Sequence, residues 1–305
     1  MAIARSTRLG VVFAFFAYAS WGLLSPVGKH LIEAEGFPLL WLNAIRFLIA
    51  TPILLLFIGR GALRASIRLL RPGPILWANL LASASLTLFL YSLPLLANPT
   101  YATLGFYTAP LWTALLAHFA LRERVGFWFA PAAIGLLGGG YVALFGLHGP
   151  PAGFGLVGMT LAVLSGVVWA VYSVQLRGAA GAVELQPMLG AAFITGTVWF
   201  LLAALVFEGS PRIAATTAGW AWMGLYVAVP TLASFVLFNA ALRLAPASTA
   251  NLLVGAELAF TALFSALLFG GRFGNDQLVG LAVVLLAVSG YLWLQARRPA
   301  ATPSS

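Results

Sequence analysis

Ten apolar stretches follow one another along this chain, each about 20 residues long, the length a helix needs to cross a bilayer. Hydrocarbon offers no hydrogen bonds, so a single crossing segment must satisfy its peptide groups internally, and only a helix does so. The stretches run at about Leu9–Ile32, Phe37–Gly59, Pro74–Ala97, Thr100–Leu121, Val125–Leu147, Phe154–Leu176, Gln186–Phe207, Trp220–Leu242, Ser248–Phe269 and Leu278–Leu294. The expected fold class is an all-α integral membrane protein. Apolar residues make up 62% of the chain and charged residues 8%, against about 25% charged in a soluble domain. Cysteine is absent, which removes disulfide and thiol chemistry. The net charge of +9 raises the question of nucleic acid, but 15 of the 16 cations are arginines scattered mostly in short loops. That pattern belongs to membrane orientation, so the lipid bilayer is a partner and nucleic acid is not.

Arg5 and Arg8 precede the first stretch, and Ala17-Tyr18-Ala19 resembles a leader-peptide cleavage site. The apolar run continues past Ala19, however, and the residues just beyond it are repeated later. Trp21, Ser25 and Lys29 recur as Trp169, Ser173 and Arg177, each 148 residues on. Spacing of i, i+4 and i+8 puts the three on one face of a helix. The same offset pairs Gly10 with Gly158, Ala14 with Ala162, Thr113-Ala114-Leu115 with Thr261-Ala262-Leu263, and Arg124 with Arg272. An offset that holds at both ends of each half implies duplication, with halves at 1–148 and 149–296. Gly149-Pro150-Pro151-Ala152-Gly153 marks the junction, and the polar tail 297–305 is expected to be disordered and cytoplasmic.

With a cytoplasmic N-terminus, the inner segments hold twelve cations, including the Arg-rich loop of Arg60, Arg64, Arg68 and Arg71. The outer segments hold three: Lys29, Arg212 and Arg272. Cytoplasmic excess of this kind orients a bundle and leaves both termini inside. Five spans per half is an odd number, so the second half enters the membrane inverted. Such repeats place a substrate site near mid-membrane and alternate access to it.

Catalytic equipment is sparse. Seven carboxylates and three histidines show no metal-ligand spacing, and no Gly-rich phosphate loop follows a strand. Neither enzyme activity, metal nor cofactor is expected. Two charges lie within spans, Arg46 in the second and Glu257 in the ninth. Ionised groups at that depth face the interior or water. Arg46 is read as meeting a carboxylate and Glu257 as binding a cation or a proton, the alternative for each being a packing role. Thr100, Thr103, Tyr107 and Pro110 line one face of the fourth span, and Ser248, Asn251, Gly255 and Leu258 stand at the matching positions of the ninth. Tyr107 opposite Gly255 leaves a bulky ring on one side and room on the other. Trp21 and Trp169, with Ser25, Ser173, Tyr91 and Asn239, complete the candidate substrate-binding set. Aromatic faces at this depth stack on flat or cationic solutes. Pro26, Pro110 and Pro230 interrupt spans one, four and eight as hinges or fixed kinks.

Trp21…Ser25-Pro26…Lys29, Arg46-Phe47, Ala109-Pro110, Leu121-Arg122-Glu123-Arg124 and Glu257, set in ten short spans, resemble the EamA-type exporters of the drug/metabolite transporter superfamily. Within it the aromatic-rich interior is most similar to the YddG-like exporters of aromatic amino acids. The chain departs from the pattern at Glu257-Leu258, where the family has Glu-Pro, and at Phe269-Gly270-Gly271, where the family has an acid. The resemblance implies a basket-like bundle with a central cavity walled by spans three, four, eight and nine, with parts of one and six. It implies export of amino acids or related metabolites across a bacterial-type inner membrane by alternating access. Protons are a candidate co-substrate. A monomer is expected, with a homodimer left open. The rivals are carriage of another metabolite or a drug cation, a membrane scaffold without transport, and an intramembrane enzyme.

Overall fold

A computed structural model of the chain describes residues 2–96, 101–123, 125–148, 155–211, 213 and 215–296. The Asn98-Pro99 turn, Thr100, Arg124, Arg212, the 149–153 junction and the 297–305 tail lie outside the described residues. Among those described there is helix and no strand. Nine helical stretches are long and apolar enough to cross a membrane: Thr7–Glu33, Leu39–Phe57, Pro74–Leu95, Tyr101–Leu121, Leu156–Ala179, Leu185–Phe207, Thr217–Leu244, Ala247–Phe269 and Asn275–Leu294. A shorter apolar helix of 17 residues, Phe129–Phe145, comes after the fourth. The chain is a multi-pass membrane protein. With Phe129–Phe145 in fifth place, these stretches are numbered spans one to ten.

The stretch expected as an Arg-rich loop is instead a helix, Arg60–Leu69. Its arginines recur every fourth residue and stay exposed, while Ser66 on the far side is buried. A side chain at Gly190 of span seven would strike Ser66, so the two helices touch there. A four-residue charge period is a helical signal, and counting the charges alone hides it.

Polar bonds gather the chain connections into two groups. At one end the Glu35 carboxylate accepts from the Thr216 amide (3.1 Å) and hydroxyl (2.8 Å). These two bonds hold the Glu35 carboxyl below the usual carboxylate range. Glu208 accepts from the amides of Leu40 and Trp41 at 2.9 and 3.0 Å, and Asp276 from the Leu147 amide. At the other end Glu123 accepts from the Ala247 amide (3.2 Å) and the Ser248 hydroxyl (3.3 Å) and lies 3.6 Å from Arg177. Arg177 donates to the carbonyls of Leu242 and Arg243, and Arg243 donates to that of Val183.

Several spans are interrupted. Span one breaks between Trp21 and Leu24, span four between Phe106 and Ala109, and span nine at Leu253. Pro26 and Pro110 fall in the first turn after their breaks, where a helix has no internal use for the missing N–H. Pro230 sits in a π-helical turn, Ala228–Ala233. It cannot bond the Tyr226 carbonyl four residues back, and the Thr231 hydroxyl does so instead at 2.8 Å. Ser234 likewise donates to the Val229 carbonyl. All three prolines therefore sit at interruptions of their spans. Span six, the counterpart of span one at the 148-residue offset, is unbroken over Leu156–Ala179.

Small residues let spans four and six close on each other. A Cβ at Gly105 would stand 2.6 Å from the Ala162 Cβ, and one at Gly166 would stand 3.0 Å from the Phe106 carbonyl oxygen. Close approach at small residues is how helices associate where hydrophobic drive is absent. Gly105→Val is expected to force these helices apart and to cost about 1–3 kcal/mol by overpacking. The check is thermal unfolding of the purified protein in detergent, where an unchanged midpoint would contradict the close contact.

Candidate functional site

A cavity of about 560 Å³, its open mouth included, lies among spans one, two, three, four, six, eight and nine. Tyr18, Trp21 and Leu24 enter it from span one, Arg46 from span two, and Leu86 and Phe89 from span three. Thr103 and Phe106 come from span four, Trp169 from span six, Phe235 from span eight and Glu257 from span nine.

The duplicated tryptophans meet. The Trp21 and Trp169 rings stand edge to face with centroids 5.7 Å apart, and Phe235 and Phe238 pack on Trp21 at 5.6 and 5.2 Å. Edge contacts of this kind add about 0.5–1.5 kcal/mol per pair beyond area. The indole N–H of Trp169 and the hydroxyl of Tyr18 both donate to Asn251 Oδ1, at 3.0 and 3.2 Å. The Asn251 amide in turn donates to the Ala247 carbonyl. One side-chain oxygen of span nine thus orients aromatic walls supplied by spans one and six.

Both intramembrane charges line this cavity. Arg46 is 2% exposed; among the described residues its Nε and Nη1 have no hydrogen-bond partner, while the guanidinium interacts with the Tyr226 side chain. The guanidinium carbon lies 5.2 Å from the Phe47 ring centre and 5.4 Å from that of Tyr226, within cation–π range. Glu257 is half-buried, and no hydrogen bond or ion pair reaches its carboxylate among the described residues. The ion pairs found there are Lys29–Glu33, His30–Glu35 and Arg177–Glu123. Arg46 and Glu257 therefore share a cavity without pairing. A buried charge without a counter-ion is costly, and a ligand carrying both complementary charges relieves both at once.

Of the residues expected to bind substrate, Trp21, Trp169 and Thr103 line the cavity. The other described ones do not, for identifiable reasons, and Thr100 lies outside the described residues. Asn251 acts one layer behind, through Tyr18 and Trp169. Ser173 is buried and bonded to the Trp169 carbonyl four residues back, and the Asn239 amide to that of Phe235. Ser248 is bonded to Glu123 at the end of the bundle. Tyr91 packs on Phe207 near the far end of span three. Ser25 is exposed one turn beyond Trp21, past the break in span one. Tyr107 is fully buried, and the room expected opposite it at Gly255 is filled, since a Cβ there would stand 2.8 Å from Val284 and Val288 of span ten. The breaks at Tyr107-Thr108 and Leu253 interrupt the faces that periodicity continues through them, and Glu257, beyond the second break, lines the cavity. Tyr18, Leu24, Leu86, Phe89, Phe106 and Phe235 are the lining residues the sequence did not single out. Tyr18 carried a signal, standing three residues before Trp21 on the duplicated face.

Known proteins share this architecture. The chain matches the model of the EamA-like transporter family twice, over residues 8–145 and 156–293, the two matches displaced by the offset of the Trp/Ser/cation motif. The chain belongs to the EamA-like transporter family, whose members are membrane transporters of small molecules. It is 26% identical over 225 residues to an uncharacterized transporter, sll1319, of Synechocystis sp. (strain ATCC 27184 / PCC 6803 / Kazusa). That match covers 71% of this chain and 66% of the relative's length. A solved crystal structure of a protein superposes with a TM-score of 0.76 at 19% identity, over 95% of this chain and 99% of the other, which shows a shared fold.

Asn251→Leu is expected to leave the Tyr18 hydroxyl and the Trp169 indole without their acceptor, at about 1–3 kcal/mol for each buried group. The measurement is thermal unfolding together with tryptophan emission. An unchanged midpoint and an unchanged spectrum would contradict the role given to Asn251.

Proposed function

We propose that this protein carries zwitterionic amino acids with large apolar or aromatic side chains, exporting them across a bacterial-type inner membrane. The observation that carries the reading is a buried guanidinium and a carboxylate lining one cavity, unpaired with each other, beside aromatic rings. Arg46 suits the substrate carboxylate, because a guanidinium fork binds carboxylate through two parallel bonds. Glu257 suits the ammonium. Trp21, Trp169, Phe89, Phe106 and Phe235 suit the side chain, and Thr103 offers a hydroxyl at the rim. A phosphorylated solute would need several inward cations, and among the cavity residues Arg46 is the one cation. An organic cation without a carboxylate would leave Arg46 unmet, which makes the zwitterion the better fit to both charges.

The arrangement also suits inverted repeats. The connections after spans one, five, seven and nine meet at the Glu35 end, and those after four, six and eight meet at the Glu123 end. Spans one and six therefore run in opposite directions. Reading the Glu123 end as cytoplasmic follows the loop arginines and leaves both termini inside. Most lining residues then fall in the outer half, with Leu24, Phe89, Thr103 and Phe106 toward the outside. Trp21, Trp169 and Phe238 pack across the inner side, and Glu123 ties that end shut. The cavity is thus open outward. Inward opening separates Glu123 from Ala247, Ser248 and Arg177, with the helix breaks as bending points. Glu257 is the group available to exchange a proton when the ammonium leaves. The protein acts as a monomer in the bilayer in this scheme.

Crossed competition in liposomes holding the purified protein tests the site. Phenylalanine should compete strongly for uptake of labelled tryptophan. Arg46→Met is expected to weaken phenylalanine by at least tenfold, or about 1.4 kcal/mol, while leaving phenethylamine, which lacks the carboxylate, unaffected. Glu257→Gln should spare hydrocinnamate, which lacks the amine, and weaken phenylalanine. Trp21→Ala or Trp169→Ala should weaken all three compounds. Equal effects of Arg46→Met on the acid-bearing and acid-free compounds would remove Arg46 from substrate recognition.

A further inference from the structure

A second, smaller cavity adjoins the first. Leu86 and Phe235 line both and form the partition between them. Its other lining residues include Phe47, Asn79, Ser83, Tyr172 and Phe193, drawn from spans two, three, six and seven. Asn79 lies in the second turn of span three and Tyr172 in the last third of span six. Both positions are toward the Glu123 end, so this cavity lies on the opposite side of the partition from Arg46's pocket.

Asn79 stands out within it. The residue is 2% exposed, and among the described residues neither Nδ2 nor Oδ1 of its side chain has a hydrogen-bond partner. The neighbouring Ser83 hydroxyl bonds the backbone carbonyl of Asn79 and leaves its amide alone. The other buried asparagines differ: Asn43, Asn239 and Asn251 each donate to a carbonyl four residues back in their own helix. A buried polar side chain without partners lowers stability. A leucine of similar size at this position would cost nothing of the kind. A carboxamide offers two donors and an acceptor and no net charge. It can bond a carboxylate or an ammonium as it passes, without the tight hold of an ion pair.

We propose that Asn79 is a second, inner binding station for the same substrate, reached when the Leu86–Phe235 partition parts. This inference rests on the amino-acid carrier reading and extends the route from the charged pocket toward the Glu123 end. The neutral amide gives weaker binding than Arg46 and Glu257, which suits a station from which solute is handed on.

The test is Asn79→Leu in the full-length protein, with three readouts. Thermal stability should be unchanged or higher, since an unpaired amide is removed. Phenylalanine binding to the outer pocket, followed by quenching of tryptophan emission, should stay within about twofold of wild type. Counterflow in liposomes should slow by about tenfold, the equivalent of one lost hydrogen bond on the route. Asn79→Ser, which keeps a hydroxyl, should recover part of that rate. Wild-type counterflow by Asn79→Leu would overturn the station and leave the carrier reading standing. A large loss of stability would also overturn it, by showing that the amide is bonded within the protein. A wild-type protein that binds and moves no zwitterion would overturn both.

Discussion

A peptide group in hydrocarbon has no water to turn to, and this rule shapes the whole molecule. Spans run as closed hydrogen-bond ladders wherever lipid surrounds them. Where a ladder is broken, the loosened groups need another partner or an aqueous neighbour. At Pro230 that partner is the Thr231 hydroxyl on the Tyr226 carbonyl. At the span-four break the Thr108 hydroxyl bonds the Gly105 carbonyl and receives the Trp112 indole N–H. The breaks in spans one and four lie beside the residues that line the main cavity, namely Trp21 with Leu24 and Phe106 with Thr103. Non-helical backbone at membrane depth is tolerated where it borders a cavity, and here interruption and cavity coincide.

The cavity in turn depends on a few polar contacts that cross between the halves. Asn251 holds Tyr18 and Trp169, so spans one, six and nine share one oxygen. Glu123, in the first half, holds the start of span nine and the end of span six. Glu35 and Glu208 tie the opposite end. Each carboxylate receives two or more bonds from the other half of the chain. A carboxylate so placed fixes the position of helix ends more firmly than dispersion contacts between leucines, which have no preferred register.

Much of this was legible in the sequence and part was not. Ten apolar stretches, the 148-residue offset and the two intramembrane charges are properties of spacing and composition, and spacing survives folding. Trp21 and Trp169, matched at that offset, stand in edge contact in the folded chain. The arginine helix at 60–69 was hidden by treating its charges as a count, although their period of four was present. The polar face of spans four and nine was read as continuous because periodicity assumes an unbroken helix. Breaks at Tyr107-Thr108 and Leu253 interrupt it: Tyr107 is fully buried, Ser248 bonds Glu123 at the bundle end, and Glu257 beyond the second break lines the cavity. Ser173, Asn239 and Asn251 show a second limit. Small polar side chains in helices often bond their own backbone four residues back, and type alone does not separate them from side chains such as Asn79 that remain unpaired.

The central claim is that Arg46 and Glu257 receive the two ends of one solute. Solid-state magnetic resonance of the protein in lipid, with bound phenylalanine labelled separately at its carboxyl carbon and its amino nitrogen, measures this directly. The account predicts the carboxyl carbon within about 4 Å of the Arg46 guanidinium nitrogens, the reach of a charge-assisted hydrogen bond. The amino nitrogen should lie equally close to the Glu257 carboxylate. A carboxyl group remote from Arg46, or an amino group beside it, would contradict the account.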